Sequence, residues 1–311
     1  MFATSLRRAV TCAVVGVLAV RSLSIQAMSG GVPVDELLAA QPGSRFTQQQ
    51  IAFAHAISAV TVALIKLDAN GTGASLCSAT IVHPRVVLTA AHCVLNGVEV
   101  SRRITVLFER VRAERQALDV IVHPGFLQNA RARVNTPGPQ RLKHARSAGN
   151  VFSLSKDLAL ILLARPIPEG YELVAPVPPG FRDSRAFTKL VAGYGAIGAS
   201  GSMRRPLLRF AEMHGNSRLY QGAIAEEGEI VMESKYVDGA RVNVCAGDSG
   251  GPILVLERGA ARLRQLAVTS AADEDCREAG IFAPIDAQRA ALRSMFDALM
   301  RGEGGGDQNP F

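Results

Sequence analysis

Three short stretches carry the residue types needed for acyl transfer at an amide or ester carbonyl. That chemistry requires a nucleophile, a base to take its proton, a group to orient the base, and donors for the oxyanion. Cys245-Ala-Gly-Asp-Ser-Gly-Gly-Pro252 offers the nucleophile, Ser249. Serine attacks poorly at neutral pH unless a base stands beside it. Gly247 lets the backbone approach the reacting centre without a Cβ in the way. The amides of Gly247 and Ser249 can then point at one spot and form an oxyanion hole. Leu88-Thr-Ala-Ala-His-Cys93 offers His92. Taken alone, a histidine in such a run is more often a core residue than a metal ligand, since zinc would want further Cys or His at close spacing and none follows. Lys156-Asp-Leu-Ala-Leu-Ile-Leu-Leu163 sets Asp157 at the head of an apolar strand. A partly buried carboxylate there needs a partner, and the ring N–H of His92 supplies one. The order His, Asp, Ser gives base, orienting group and nucleophile.

The elements that must position these residues read as β-structure. Ile57 to Leu67 is rich in Val, Ile and Thr, and Asn70-Gly71 marks a turn. Thr80 to Leu88 is a second apolar stretch, broken at His83-Pro84. Ile104 to Phe108, Leu118 to Val122, Leu158 to Leu163, Leu190 to Ala192, Ile253 to Leu256 and Leu263 to Thr269 read as further short strands. Many short strands with turn signals between them predict an all-β barrel or sandwich. One helix is expected over Asp286 to Met300, with Leu292, Met295, Phe296 and Leu299 on one face and Asp286 as its N-cap. The tail from Arg301 to Phe311 is Gly-rich and polar, and is expected to be flexible.

The first residues read as an export signal: Arg7 and Arg8, then an apolar stretch from Ala9 to Val20, with cleavage after Ala27. Localisation is therefore expected to be secreted or periplasmic. The formal charge is +7, and three of those charges (Arg7, Arg8, Arg21) lie in this segment, which has no acids. Basicity this modest, without aromatics interleaved among the cations, argues against a nucleic-acid partner. No apolar run reaches the ~18–20 residues of a membrane span. Once Cys12 leaves with the signal, Cys77, Cys93, Cys245 and Cys276 remain. In an exported chain this even number implies two disulfides, and spacing leaves all three pairings open. Residues 127–150 carry five cations (Arg131, Arg133, Arg141, Lys143, Arg146) and no acid, which reads as a solvated loop or an anion-binding one.

The three chemical stretches, in this order, resemble the motifs of the trypsin/chymotrypsin family, and the resemblance runs from about Ile57 to Met300. Val191-Ala-Gly-Tyr-Gly195 is similar to the family's Gly-Trp-Gly strand, with Tyr in place of Trp. The resemblance implies two six-stranded antiparallel barrels with a C-terminal helix and the active site between them. It implies a secreted serine endopeptidase with the triad His92, Asp157 and Ser249, an oxyanion hole at Gly247 and Ser249, and no metal or organic cofactor. Its partners would be polypeptide substrates and a protein inhibitor, and the chain would be a monomer. It pairs Cys77 with Cys93 and Cys245 with Cys276. That sparse set resembles bacterial-type secreted members.

Two places depart from the family pattern. Family zymogens are cut to free an Ile-Val-Gly-Gly start, whose ammonium pairs with the Asp before the nucleophile, here Asp248. The corresponding place is Ile51-Ala-Phe-Ala54, without those glycines and without a preceding Arg or Lys. A protease domain over residues 51–300 is expected, with 28–50 as a pro-segment. In the specificity pocket, Asn243 stands where trypsin-like members carry Asp. Ser270 resembles the strand residue that binds substrate backbone, and Ala272 and Gly280 resemble the pocket walls. A neutral or polar side chain before the scissile bond is expected. The alternative to an enzyme is a catalytically silent homologue that binds a ligand through its basic loop.

Overall fold

The computed structural model describes residues 31–41, 43–68, 70–71, 73–134, 154–182, 187–195, 207–213, 219–220, 223–224, 230–233, 235–237, 240–256, 262–272, 276, 279–301 and 308–311. The expected export signal and most of the basic insert lie outside these residues.

The first described elements are a two-residue strand β1 (Val32–Pro33), a short helix α1 (Val34–Leu38) and a longer helix α2 (Gln48–Val60). The sequence reading began a strand at Ile57, yet the helix runs on to Val60. Its start is set by a capping box: the Gln50 amide donates to Thr47 Oγ1 at 3.1 Å, and the Thr47 amide donates to Gln50 Oε1 at 2.9 Å. Phe53, Ala54 and Ile57 fall on one face and are buried. A domain boundary at residue 51 therefore falls inside a helix. Moreover, Val34 and Leu37, from the expected pro-segment, belong to the same core as Phe53 and Ile57.

The next strands are β2 (Thr61–Leu67), β3 (Ala74–His83), β4 (Val86–Thr89), β5 (Ile104–Phe108) and β6 (Ala113–Val122). Helix α3 (Pro124–Val134) and strand β7 (Ala159–Leu163) follow. The six strands close an antiparallel barrel in the order β2-β3-β4-β7-β6-β5. Its centre is filled by Val62, Leu64, Leu88, Val106 and Ile161, all without exposed surface. Each such side chain contributes about 1.5–3 kcal/mol. The start of the basic insert, expected as loop, is the end of α3, and α3 buries Phe126 and Ala130.

The second unit holds β8 (Lys189–Gly193), β9 (Arg209–Met213), β10 (Ile230–Glu233), β11 (Pro252–Leu256), β12 (Leu263–Ala272) and β13 (Ala279–Pro284). These six antiparallel strands run in the order β9-β8-β11-β12-β13-β10, and β1 adds a seventh beside β9. The all-β expectation with two six-stranded units thus holds, with β1 as an addition the sequence did not suggest. The connection between the units is strapped to both: the Val174 amide donates to Ile81 O at 3.0 Å, and the Gln265 amide to Ala175 O at 2.9 Å.

Helix α4 (Arg289–Met300) leaves the second unit and returns to the first. Leu292, Met295, Phe296 and Leu299 enter the core of the closed barrel. Asp286 does not cap this helix. It sits in a preceding 3₁₀ turn, where its carboxylate accepts from the Gly180 amide at 3.1 Å and from Arg289 Nε at 3.1 Å. The last four residues fell in the segment expected to be flexible, but they are placed against α4. Phe311 is buried beside Phe296, and Arg293 Nε donates to its carbonyl. Among the described residues, no helix is long and apolar enough to cross a membrane.

Candidate active site

His92 lies in a 3₁₀ turn (Ala91–Val94) that leaves β4, so the first barrel aims it at the junction of the two units. Asp157 follows a second 3₁₀ turn (Leu154–Lys156) and precedes β7. Because β4 pairs with β7, with Thr89 opposite Ala159, the two turns stand side by side. Asp157 Oδ2 lies 2.7 Å from His92 Nδ1, and Oδ1 accepts from the His92 amide at 3.0 Å. An ionised carboxylate only accepts, so Nδ1 carries the proton and Nε2 is left as the acceptor. The Asp157 side chain is 1% exposed, whereas that of His92 is 41% exposed.

The buried carboxylate has a third donor. Ser270 Oγ, from β12 of the second unit, reaches Asp157 Oδ2 at 2.6 Å. The sequence reading gave Ser270 to substrate backbone and missed this contact. A serine in an apolar strand is too common to signal it.

The Ser249 turn joins the second unit to β3. The Ser78 amide donates to Ser249 O at 2.7 Å, and Ser78 Oγ donates to Gly247 O at 3.0 Å. The Tyr194 amide in turn donates to Ser78 Oγ at 2.8 Å. Ser78 is fully buried and pins both the Ser249 turn and the Gly193-Tyr-Gly195 string. Nothing in the sequence marked it out. Gly250 is required by this closeness: it holds φ at +83°, and a Cβ there would stand 2.2 Å from Ser78 O and 2.2 Å from Thr89 Oγ1. Among the described residues, the amides of Gly247 and Ser249 donate to no protein acceptor. His92 Nε2 makes no hydrogen bond to Ser249 Oγ and lies 3.6 Å from Cys93 Sγ. Contacts of this kind are often long before substrate binds.

Both expected cysteine pairs are present, Cys77–Cys93 and Cys245–Cys276. The first takes up the two sulfurs nearest His92, so Cys77, His92 and Cys93 offer no thiolate to a metal. The second ties the Ser249 turn to the segment after β12. Asn243 has no exposed surface, and its Oδ1 accepts from the Val244 amide at 2.9 Å. Ala272 and Gly280 are cross-strand partners, and a Cβ on Gly280 would stand 2.7 Å from Val244 Cγ2. The four pocket candidates therefore divide: Asn243, Ala272 and Gly280 gather around Val244, and Ser270 turns toward Asp157.

The electrostatics favour a charged His92. Enclosure of the ring disfavours the imidazolium, but the Asp157 charge and hydrogen bond outweigh that, and the pKa is raised above its ordinary 6.5. Lys66 works the other way on His92. Its own pKa is lowered by burial, and its Nζ donates to Leu95 O at 2.5 Å.

A hydrolase of the serine endopeptidase class is what this fold and this pairing of side chains describe. Sequence comparison agrees: the chain belongs to the trypsin family, whose sequence model matches residues 60–292. It is 28% identical to human granzyme M over 236 residues, which covers 73% of this chain and 81% of the relative. It is 25% identical to a trypsin of Saccharopolyspora erythraea over 200 residues, covering 63% and 75% respectively. Among solved structures, neuropsin, a serine protease expressed in the limbic system of mouse brain, superimposes with a TM-score of 0.53 at 20% identity. That match covers 78% of this chain and 96% of neuropsin. It carries the two-barrel fold.

Replacing Ser270 with Ala removes one donor from a buried carboxylate. The expected loss of stability is about 1–3 kcal/mol, read by urea denaturation. A Ser270→Thr variant, which keeps the hydroxyl, should lose less. Equal losses in the two variants would show that the hydrogen bond contributes nothing.

Proposed function

We propose that the protein is an exported endopeptidase that cleaves peptide bonds through an acyl-enzyme on Ser249. The reading rests chiefly on one observation: a buried Asp157 that holds His92 through both its ring Nδ1 and its backbone amide. An Asp so placed fixes the tautomer that leaves Nε2 free to take the Ser249 proton, and it stabilises the imidazolium that results. His92 then returns the proton to the leaving amine. The amides of Gly247 and Ser249 receive the oxyanion. Export is supported by the two disulfides, which persist in oxidising compartments.

The alternative, a silent homologue, draws on the missing Ser249–His92 hydrogen bond. A fluorophosphonate probe separates the two readings. Wild-type protein should be labelled, and Ser249→Ala should not. Folded wild-type protein that takes no label would establish the silent homologue.

The pH profile follows from His92. Its base form is neutral, so kcat/KM is lost as pH falls through a pKa raised above 6.5. In Asp157→Asn both raising influences disappear. The acid limb should move to lower pH while kcat falls about 10⁴-fold. Lys66→Gln removes a cation that opposes the imidazolium, so its acid limb should move to higher pH. A Lys66→Gln limb at or below the wild-type one would contradict this account.

Substrate choice is assigned to the wall formed by Asn243, Val244, Ala272 and Gly280. It holds no formal charge, and Val244 narrows it opposite Gly280. A cationic side chain entering it would lose its water without meeting a counter-charge. Neutral residues are therefore expected before the scissile bond in a peptide-library digest. Exclusive cleavage after Arg or Lys would overturn the assignment.

A further inference from the structure

Asp248 precedes Ser249 and has no exposed surface. Its Oδ1 accepts from the Gly195 amide at 3.0 Å and its Oδ2 from the Cys245 amide at 2.9 Å. These two bonds fold the turn around the carboxylate and so set where the amides of Gly247 and Ser249 point. A nearby cation stabilises a buried carboxylate in addition to the donors that surround it.

The cross-strand register places one. Gly193 on β8 stands against Asp248: a Cβ there would lie 2.3 Å from Asp248 Oδ1 and 2.9 Å from its Cα. Directly opposite Gly193 on β9 is Arg209. Opposed residues of an antiparallel pair project from the same face, with Cβ atoms about 5 Å apart. Arg209 therefore leaves the sheet on the face that Asp248 occupies. The residue is 8% exposed, and its Nη1 donates to Gly31 O at 3.1 Å. Its Nε has no partner among the described residues. Burial lowers its pKa, the charges of Glu36 and Asp248 oppose that, and a guanidinium remains charged at neutral pH.

We infer that Arg209 is a positioning residue. It supplies, from inside the sheet, a positive charge to Asp248 and so holds the oxyanion turn ready in a chain not cut before Ile51. Gly31, the residue before β1, fastens the guanidinium. The segment expected to be discarded is thus part of what keeps the turn in place. In this chain Ile51 is not a free terminus: its amide donates to Thr47 O at 3.1 Å within α2. The inference rests on the reading of Gly247 and Ser249 as oxyanion donors.

Two measurements test it on the full chain. The first is mass spectrometry of fluorophosphonate-labelled wild-type protein. Labelled molecules should still contain residues 31–60. Label confined to molecules that begin at Ile51 would overturn the inference. The second is a cycle of labelling rates for wild type, Arg209→Met, Asp248→Asn and the double variant, with Arg209→Lys beside them. Arg209→Met should label about a hundredfold more slowly, the scale of losing an oxyanion donor. Arg209→Lys should recover much of that, and the double variant should be no slower than Asp248→Asn. Independent, multiplying effects would reduce Arg209 to a structural residue and overturn the inference, as would an Arg209→Met protein that labels at the wild-type rate. If Arg209→Met does not fold, the wild-type mass measurement still decides. Wild-type protein that takes no label at all would instead sink the catalytic reading itself.

Discussion

The carboxylate of Asp157 is the constraint on which the two-unit architecture turns. A charge with almost no exposed surface costs several kcal/mol unless donors surround it. Here the donors come from both units: two from His92 on the first barrel and one from Ser270 on the second. The carboxylate is satisfied only when the barrels are docked in one relation, so that relation is a condition of the site and of stability alike. The docking is reinforced at Ser78, whose amide and hydroxyl bind the Ser249 turn of the other unit. Helix α4 reinforces it again by carrying the chain from the second unit into the core of the first.

The turn before Ser249 is held in much the same way. It is fixed by the Cys245–Cys276 bridge, by Asp248 reaching Gly195 and its own Cys245, by Ser78, and by the Gly250 amide donating to Thr269 O at 2.8 Å. Donors aimed in advance at a developing negative charge need no reorganisation during reaction, and this is where most electrostatic stabilisation arises. A mobile turn would lose that advantage even with every residue type present. The glycines of the string are what allow so many fastenings in so small a space.

The sequence was most legible where chemistry demands a contiguous string. The Ser249 turn, the His92 run and the Asp157 strand each announced themselves because their residue types are tightly restricted. Strands of the first barrel were also legible, and Ile104–Phe108 has the bounds read from its apolar pattern. What stayed hidden were long-range partners of common residue types. Ser78 and Ser270 look like any strand serine until the other unit is docked. Arg209 looks like a solvated strand cation until its cross-strand neighbour is known. One miss had a visible signal. Thr47 followed three residues later by Gln50 is a helix-start signature, and the β-branched residues Ile57, Val60 and Thr61 drew attention away from it.

That helix also bears on the absent Ile-Val-Gly-Gly start. A free ammonium at Ile51 would remove Thr47 and Gln50, and with them the capping box that begins α2. To reach Asp248 it would further have to unwind a helix whose Phe53, Ala54 and Ile57 are packed with Leu190, Ala192 and Tyr194. Those three residues lie on and beside β8, the strand that leads to Gly195 and so supports Asp248. Unwinding the helix would loosen the same strand that the inserted terminus is meant to order. The two arrangements exclude each other, so the residues at the family's start position in this chain follow helix-forming rules, with Phe53 and Ala54 where glycines would have freed the backbone.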